Sequence, residues 1–214
     1  MSATVLALCV GRVASIGGGK RSAIDKRVVE GPVRITTQGL DGDRQGDRRV
    51  HGGPHMAVHH YPADHYAFWR EELPGLERLA EPGAFGENLH AVGLTEADVY
   101  IGDRYRLGGA LLEVSMGRQP CATLEGFFGG EPMVRRILAN HRCGWYYRVI
   151  EEGEAEAGDR LELVERPRSE WSVERAFAVL IDPARAFTDA ELDNLLALPA
   201  LSPQWQAKAS AKRR

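Results

Sequence analysis

Cysteine is scarce in this sequence. There are three in 214 residues, Cys9, Cys121 and Cys143, an odd number without CxxC spacing. That argues against a disulfide framework and a structural zinc knuckle, and it makes a reducing cytoplasm the expected compartment. Long apolar runs are missing too. Nothing approaches the ~18 consecutive apolar residues of a spanning helix, so no membrane role is expected. Residues 3–10 are apolar, but no basic residue precedes them and no small-residue cleavage site closes them, so they read as a first strand, not a signal peptide. A basic excess is also absent. With 27 Lys and Arg against 30 Asp and Glu, the net charge of -3 gives no general attraction to nucleic acid. Lys208, Lys212, Arg213 and Arg214 read as a solvated tail.

What is present is the composition of an ordinary globular protein, 43% hydrophobic and 27% charged, long enough for one sizeable core and a small appendage. Val5–Val10 and Gly31–Thr36 are the best strands of the first quarter. Gly17-Gly18-Gly19-Lys20 invites a phosphate-loop reading. Ala14 stands where that pattern needs Gly, and Arg21 where it needs Ser or Thr, so no nucleotide triphosphate site is expected. In Ile24-Asp25-Lys26-Arg27 two cations follow an apolar residue, a pattern that also suits plain surface charge. Residues 42–54 concentrate Arg44, Arg48, Arg49 and His51 among glycines and a proline, which makes a loop and not a helix. His51, His55 and His59 have i, i+4, i+8 spacing, but Gly52, Gly53 and Pro54 break the helix that would align them as zinc ligands. Ala57–Tyr61 looks extended, so His59 and His60 should face opposite sides.

Pro62 suits the first position of a helix with Tyr66, Trp69 and Leu73 inward. Phe85-Gly86-Glu87-Asn88-Leu89 carries polar side chains that either enter a site or bond a turn. Two segments, Val99–Leu107 and Ala155–Leu163, each set Gly-Asp at a turn before an alternating strand, and many short strands of this kind suggest a closed β-barrel. Pro132–Asn140 reads as a short helix and Trp145–Ile150 as a strand. From Arg166-Pro167 the character changes. Ser172, the Thr188/Glu191 capping box and Ser202-Pro203 announce three short helices, too small to stand alone.

The chemistry is expected at Ser115-Met116-Gly117-Arg118-Gln119-Pro120-Cys121, the exit of the apolar strand Ala110–Val114. Pro120 keeps the cysteine out of a regular ladder. Arg118, three residues before it, is a permanent cation of the kind that favours a thiolate. A small apolar core residue is the alternative reading of Cys121.

Ser115-x-x-Arg118-x-Pro120-Cys121, with Gly39-Leu40-x-Gly42-Asp43 and His51-Gly52-Gly53, resembles the MOSC domain, named for the C-terminal part of molybdenum-cofactor sulfurase. His59-His60-Tyr61, Phe85–Asn88, Gly144–Val149 and the tail from Ser172 to Trp205 are similar to its bacterial YiiM branch. The resemblance implies a mainly β fold with α, a MOSC-type β-barrel with peripheral helices over residues 1–166, and a three-helix module over 167–214. It implies a molybdenum-cofactor-dependent reductase of N-hydroxylated bases such as 6-hydroxylaminopurine, served by a separate electron-donor reductase and forming a homodimer. Pyridoxal phosphate is not among the cofactors implied. Cys121 would be the metal ligand, with Arg118 and His51 beside it as catalytic residues. Lys26, Arg27 and Arg48 would meet the pterin phosphate, and His60 and Asn88 would hydrogen-bond pterin or substrate. A sulfur carrier, with Cys121 as a persulfide, stays open, as does a non-catalytic pterin- or nucleotide-binding module. The chain departs from the branch at Met116-Gly117, where Gln-Pro is common, which suggests a looser loop. It departs also at Cys143, where a small hydroxyl residue is usual.

Overall fold

The first strand is long enough to be shared by three partners, and that closes the barrel. The computed structural model describes residues 1–16, 21–45 and 52–213. Along them run β1 (Ser2–Gly11), β2 (Ala14–Ser15), β3 (Arg21–Ser22), β4 (Lys26–Val29), β5 (Val33–Thr36), β6 (Gly39–Leu40), β7 (Val58–Pro62), α1 (Asp64–Glu72), β8 (Leu89–Val92), β9 (Arg104–Leu107), β10 (Ala110–Gly117), α2 (Ala122–Phe127) and α3 (Met133–Asn140). They are followed by β11 (Trp145–Glu151), β12 (Gly153–Ala155), β13 (Arg160–Glu165), α4 (Val173–Leu180), α5 (Asp189–Leu196) and α6 (Pro203–Lys212).

One side of β1 pairs with β8; the other pairs first with β13, over Ser2–Thr4, and then with β4, over Leu8–Gly11. The ring therefore runs β13-β9-β10-β11-β7-β8-β1 and returns to β13, with β4 appended. All its neighbours are antiparallel except β7 and β8. A parallel pair needs a crossover, and α1 supplies it. Pro62 does not open that helix as expected. It ends β7, and the helix starts at Asp64. Pairing explains the difference, because Pro62 lies in register with Ala91 of β8 and its missing N–H costs nothing at the last position of a strand.

The eight residues of β10 are all buried. Their inner face packs in the barrel, and the outer face is covered by the C-terminal helices. These begin as the capping residues require: Ser172, Thr188 and Ser202 each accept a backbone N–H, and Thr188 with Glu191 completes the capping box. Phe177, Leu192, Leu195, Leu201 and Trp205 join the same hydrophobic cluster as the barrel's Leu112, Val114 and Tyr147. Trp205 is 1% exposed, and burying an indole contributes roughly 5 kcal/mol of gross transfer free energy. Arg166 anchors the junction on Asp103, through Nε at 2.8 Å. Among the described residues no helix is long and apolar enough to cross a membrane.

Candidate functional site

The site is built where β10 stops. Arg118 donates its backbone N–H to the Gly144 carbonyl at 2.9 Å, so the chain leaves the ladder only after that bond. Pro120 is buried and cannot continue the pairing. Cys121 follows in an extended conformation (φ -138°, ψ 163°) just before α2. It is half-buried, and it lines an open cavity of about 300 Å³ between β4, the segment before β8, and β11. The other two thiols are sealed. Burial pushes the Cys9 thiol up to about 12 and holds Cys143 well above its usual value, so both keep their protons at neutral pH. Cys143 donates to the Gly144 carbonyl at 3.1 Å and does not line the cavity.

The Gly42-Asp43 turn supplies the cavity's acid. Asp43 Oδ1 accepts from the backbone N–H of Gly11 at 2.7 Å, and Oδ2 accepts from Lys26 and from Asn88 at 2.9 Å. Asn88 is fully occupied. Its amide also donates to the Cys9 carbonyl at 3.0 Å, while its oxygen accepts the His59 backbone N–H at 3.0 Å. Burial lowers the Lys26 pKa, and Asp43 opposes that shift by holding the ammonium in a pair. With Arg21, Lys26, Arg44 and Arg118 against Asp43, the described lining carries a positive excess inside a chain of net charge -3. A low-dielectric cleft lined by one sign concentrates ligands of the other.

Arg118 is the cation with an unfilled role. Its side chain is 6% exposed, and its buried Nη1 has no hydrogen-bond partner among the described residues. A buried donor left unsatisfied costs on the order of 1–3 kcal/mol, and more when it is charged, so an arriving anion would relieve it. Tyr146 faces Arg118 from β11. Burial raises its pKa, and the nearby guanidinium offsets only part of the rise, so the phenol stays protonated. His59 stands against Tyr146 with ring centroids 4.9 Å apart. Its Nδ1 lies 3.1 Å from the Gly86 carbonyl, which can only accept, so Nδ1 carries the proton and Nε2 a lone pair. Burial, reinforced by Arg118, depresses its pKa to about 3.

Four expected site residues therefore meet in one cavity: Cys121, Arg118, Lys26 and Asn88. Arg27 lies outside it, 71% exposed and paired with Asp25 at 3.1 Å. His60 also lies outside, in the barrel interior, its ring centroid 4.1 Å from that of Trp145 and its Nδ1 3.2 Å from the Tyr147 hydroxyl. His51 and Arg48 lie outside the described residues, as does Gly17-Gly18-Gly19-Lys20. Flanking residues Gln45 and Gly52 line the cavity. His59, Tyr146, Asp43, Arg21 and Arg44 line it as well and were not among the expected site residues. Alternation along β7 announces that His59 and His60 face opposite ways, but both faces of this strand are buried, so burial alone does not reveal which histidine meets the cavity.

The buried histidines make a pH prediction. Both folded-state values lie below the ordinary 6.5, so unfolding takes up protons on acidification and destabilises the fold as pH falls below that value. Each contributes a slope of up to about 1.4 kcal/mol per pH unit. Denaturant titrations at pH 7, 6 and 5 should show stability falling. His59→Gln should flatten the slope by about one proton's worth; an unchanged slope would mean that His59 is charged in the folded state.

The sequence comparison decides the family. A family model, the MOSC domain, matches residues 47–162. The chain belongs to the MOSC domain family. Protein YiiM of Escherichia coli (strain K12) is 40% identical over 204 residues, 95% of this chain and 89% of that protein. A protein named Reductase from Gibberella moniliformis is 41% identical over 160 residues, 74% of this chain but 28% of its own length. The crystal structure of YiiM from Geobacillus stearothermophilus has a TM-score of 0.82 at 30% identity, covering 99% of this chain and 100% of that one. MOSC domains are associated in general with the molybdenum cofactor. The residues present fit such a group. Cys121 offers a soft donor at the cavity wall, and Arg118 Nη1 is a buried cationic donor with no hydrogen-bond partner among the described residues.

Proposed function

We propose that this MOSC protein is a molybdenum-cofactor-dependent reductase of N-hydroxylated bases such as 6-hydroxylaminopurine, with Cys121 as the protein's ligand to the metal. The observation that carries the reading is the pairing, in one cavity, of the half-buried thiol of Cys121 with the buried guanidinium nitrogen of Arg118, which has no partner among the described residues. The reaction is R–NH–OH + 2e⁻ + 2H⁺ → R–NH₂ + H₂O. Bound molybdenum would supply the two-electron, oxygen-removing chemistry that side chains perform poorly.

The chain's own groups do the rest. Arg118, Arg21 and Arg44 draw and hold the anionic pterin, while Lys26 is held by Asp43 as part of the wall. Tyr146 keeps its phenolic proton and offers a donor to the hydroxylamino oxygen. His59 stays neutral and adds no charge to the floor. Cys9 and Cys143 keep their protons and do not compete for the metal. Electrons come from a separate reductase; that a protein named Reductase carries a MOSC-like segment as a minority of its length supports this arrangement.

The test is elemental analysis of the protein made in a molybdenum-replete host, coupled to reduction of 6-hydroxylaminopurine by a reduced viologen. Near-stoichiometric molybdenum and 6-aminopurine as product are expected. Labile sulfur on Cys121 without molybdenum would replace this reading with that of a sulfur carrier.

A further inference from the structure

Gly117, the last residue of β10, has a backbone that any residue could adopt, yet no side chain fits there. A Cβ at Gly117 would lie 2.9 Å from Cη2 of Trp205 and 3.2 Å from Cγ1 of Val173. The indole occupies the space that a side chain at position 117 would take, and the next residue is Arg118. The Met116-Gly117 pair, which suggested a loose loop, is instead filled from outside the barrel. Ser202, the cap of α6, ties the same strand twice: its N–H donates to the Ser115 carbonyl at 3.0 Å, and its hydroxyl donates to Sδ of Met116 at 2.9 Å. Trp205 holds this position although its buried Nε1 has no partner among the described residues. Its fit to Gly117, and not its polar group, accounts for where it sits.

On the opposite side the segment is gripped by the Gly144 carbonyl, and Gly144 is itself held by Glu96 Oε1 at 2.6 Å, with His65 on the other carboxylate oxygen at 2.7 Å. Gly117 and Arg118 are thus each fixed by a contact, the first of which belongs to the C-terminal helices.

We infer that α6 is a positioning element of the site: Trp205 and Ser202 hold the end of β10 and so set the direction in which Arg118 and Cys121 enter the cavity. Trp205 touches neither substrate nor cofactor in this arrangement; it acts through Gly117. The inference rests on the reading of Cys121 and Arg118 as the reactive pair, and its test needs neither molybdenum nor substrate.

The experiment compares alkylation of Cys121 in the full chain by iodoacetate, an anion, and by iodoacetamide, its neutral counterpart. Peptide mapping confirms the modified residue. The ratio of the two rate constants, normalised to free cysteine, reports the positive potential at the sulfur when each variant is measured well below its own unfolding transition, where unfolded chains do not contribute. The wild type should favour iodoacetate, and Arg118→Gln sets the floor. Gly117→Ala and Trp205→Ala should each lower the ratio about threefold or more towards that floor, as expected when a cation lining the same cavity is displaced. Gly117→Ala combined with Trp205→Leu, which makes room for the new methyl, should restore at least half of the loss. A wild-type ratio in Trp205→Ala, whatever its melting temperature, overturns the inference and leaves α6 as scaffold. A wild-type ratio no higher than that of Arg118→Gln overturns it at its premise, without bearing on molybdenum content. Should Trp205→Ala not fold, Trp205→Phe and Ser202→Ala carry the same readings.

Discussion

Replacing Cys121 with alanine should reduce the proposed N-hydroxyl reductase activity to background, a loss on the order of a thousandfold or more, and should leave the melting temperature almost where it was. The two halves of that expectation come from the same geometry. Cys121 is half-buried at a cavity wall, so removing its sulfur opens no void in the core. Stability should change by no more than about 0.5 kcal/mol. On the proposed reading the metal would lose its protein sulfur ligand, because Cys9 and Cys143 are sealed and protonated. Cys143→Ala should behave in the opposite way. Its sulfur is fully buried and bonded to the Gly144 carbonyl, so truncation should cost roughly 1–2 kcal/mol, while molybdenum and activity remain. The pair is measured by thermal denaturation, elemental analysis and turnover on the same preparations. A Cys121→Ala protein that keeps its molybdenum and still reduces the substrate would remove the ligand assignment.

Much of this arrangement is legible in the sequence because it is local. Pro120 announces the break after β10, the Thr188/Glu191 box announces α5, and the Gly-Asp turns announce β9 and β13. The closure of the barrel is not local. It depends on β1 being shared by β13 and β8, and on one parallel pair among antiparallel ones, and strand periodicity carries no information about partners. The site divides in the same way. Cys121 and Arg118 share one loop and can be read as a pair, whereas Tyr146 and His59 reach the cavity from neighbouring strands whose register, Tyr146 opposite His59, exists only in the folded barrel. Asn88 shows a further limit. Its polarity marks it as a ligand-binding side chain, but its amide is spent on Cys9, His59 and Asp43, which builds the wall. Lys26 and Arg27 are adjacent cations with opposite fates, because alternation along β4 turns the first into the cavity and the second to solvent.

Glu87→Ala should yield protein without a cooperative unfolding transition, and Glu87→Gln should fold with a stability lower by roughly 3 kcal/mol. Glu87 is fully buried and accepts four hydrogen bonds. The Tyr66 hydroxyl at 2.5 Å, the Gly83 N–H at 2.9 Å and His90 Nδ1 at 3.2 Å meet Oε1, and the Phe85 N–H at 3.0 Å meets Oε2. Alanine strands all four donors at about 1–3 kcal/mol each, which reaches the whole stability of a typical domain. Glutamine keeps one acceptor oxygen but turns an amide N–H towards a donor, so part of the cost remains. The same carboxylate has a pH signature. Burial raises its pKa, but the bonds from His90 and Tyr66 outweigh that and bring it below 4.5. A depressed carboxylate contributes its stability above the unfolded value and loses it as pH falls through the folded one, so this contribution is intact above about pH 4.5 and lost below it. The histidine contribution begins to fall earlier, below 6.5, and the two windows separate. In Glu87→Gln the loss below pH 4.5 should shrink while the loss between 6.5 and 4.5 stays. Because Gly86 accepts from His59 and Asn88 holds Asp43, a disturbed turn at Glu87 should also misplace the cavity wall and reduce turnover. Denaturant unfolding of the wild type and Glu87→Gln at pH 7, 5.5 and 4 checks each step. Equal stability at pH 7 would show that the carboxylate is not what holds the turn.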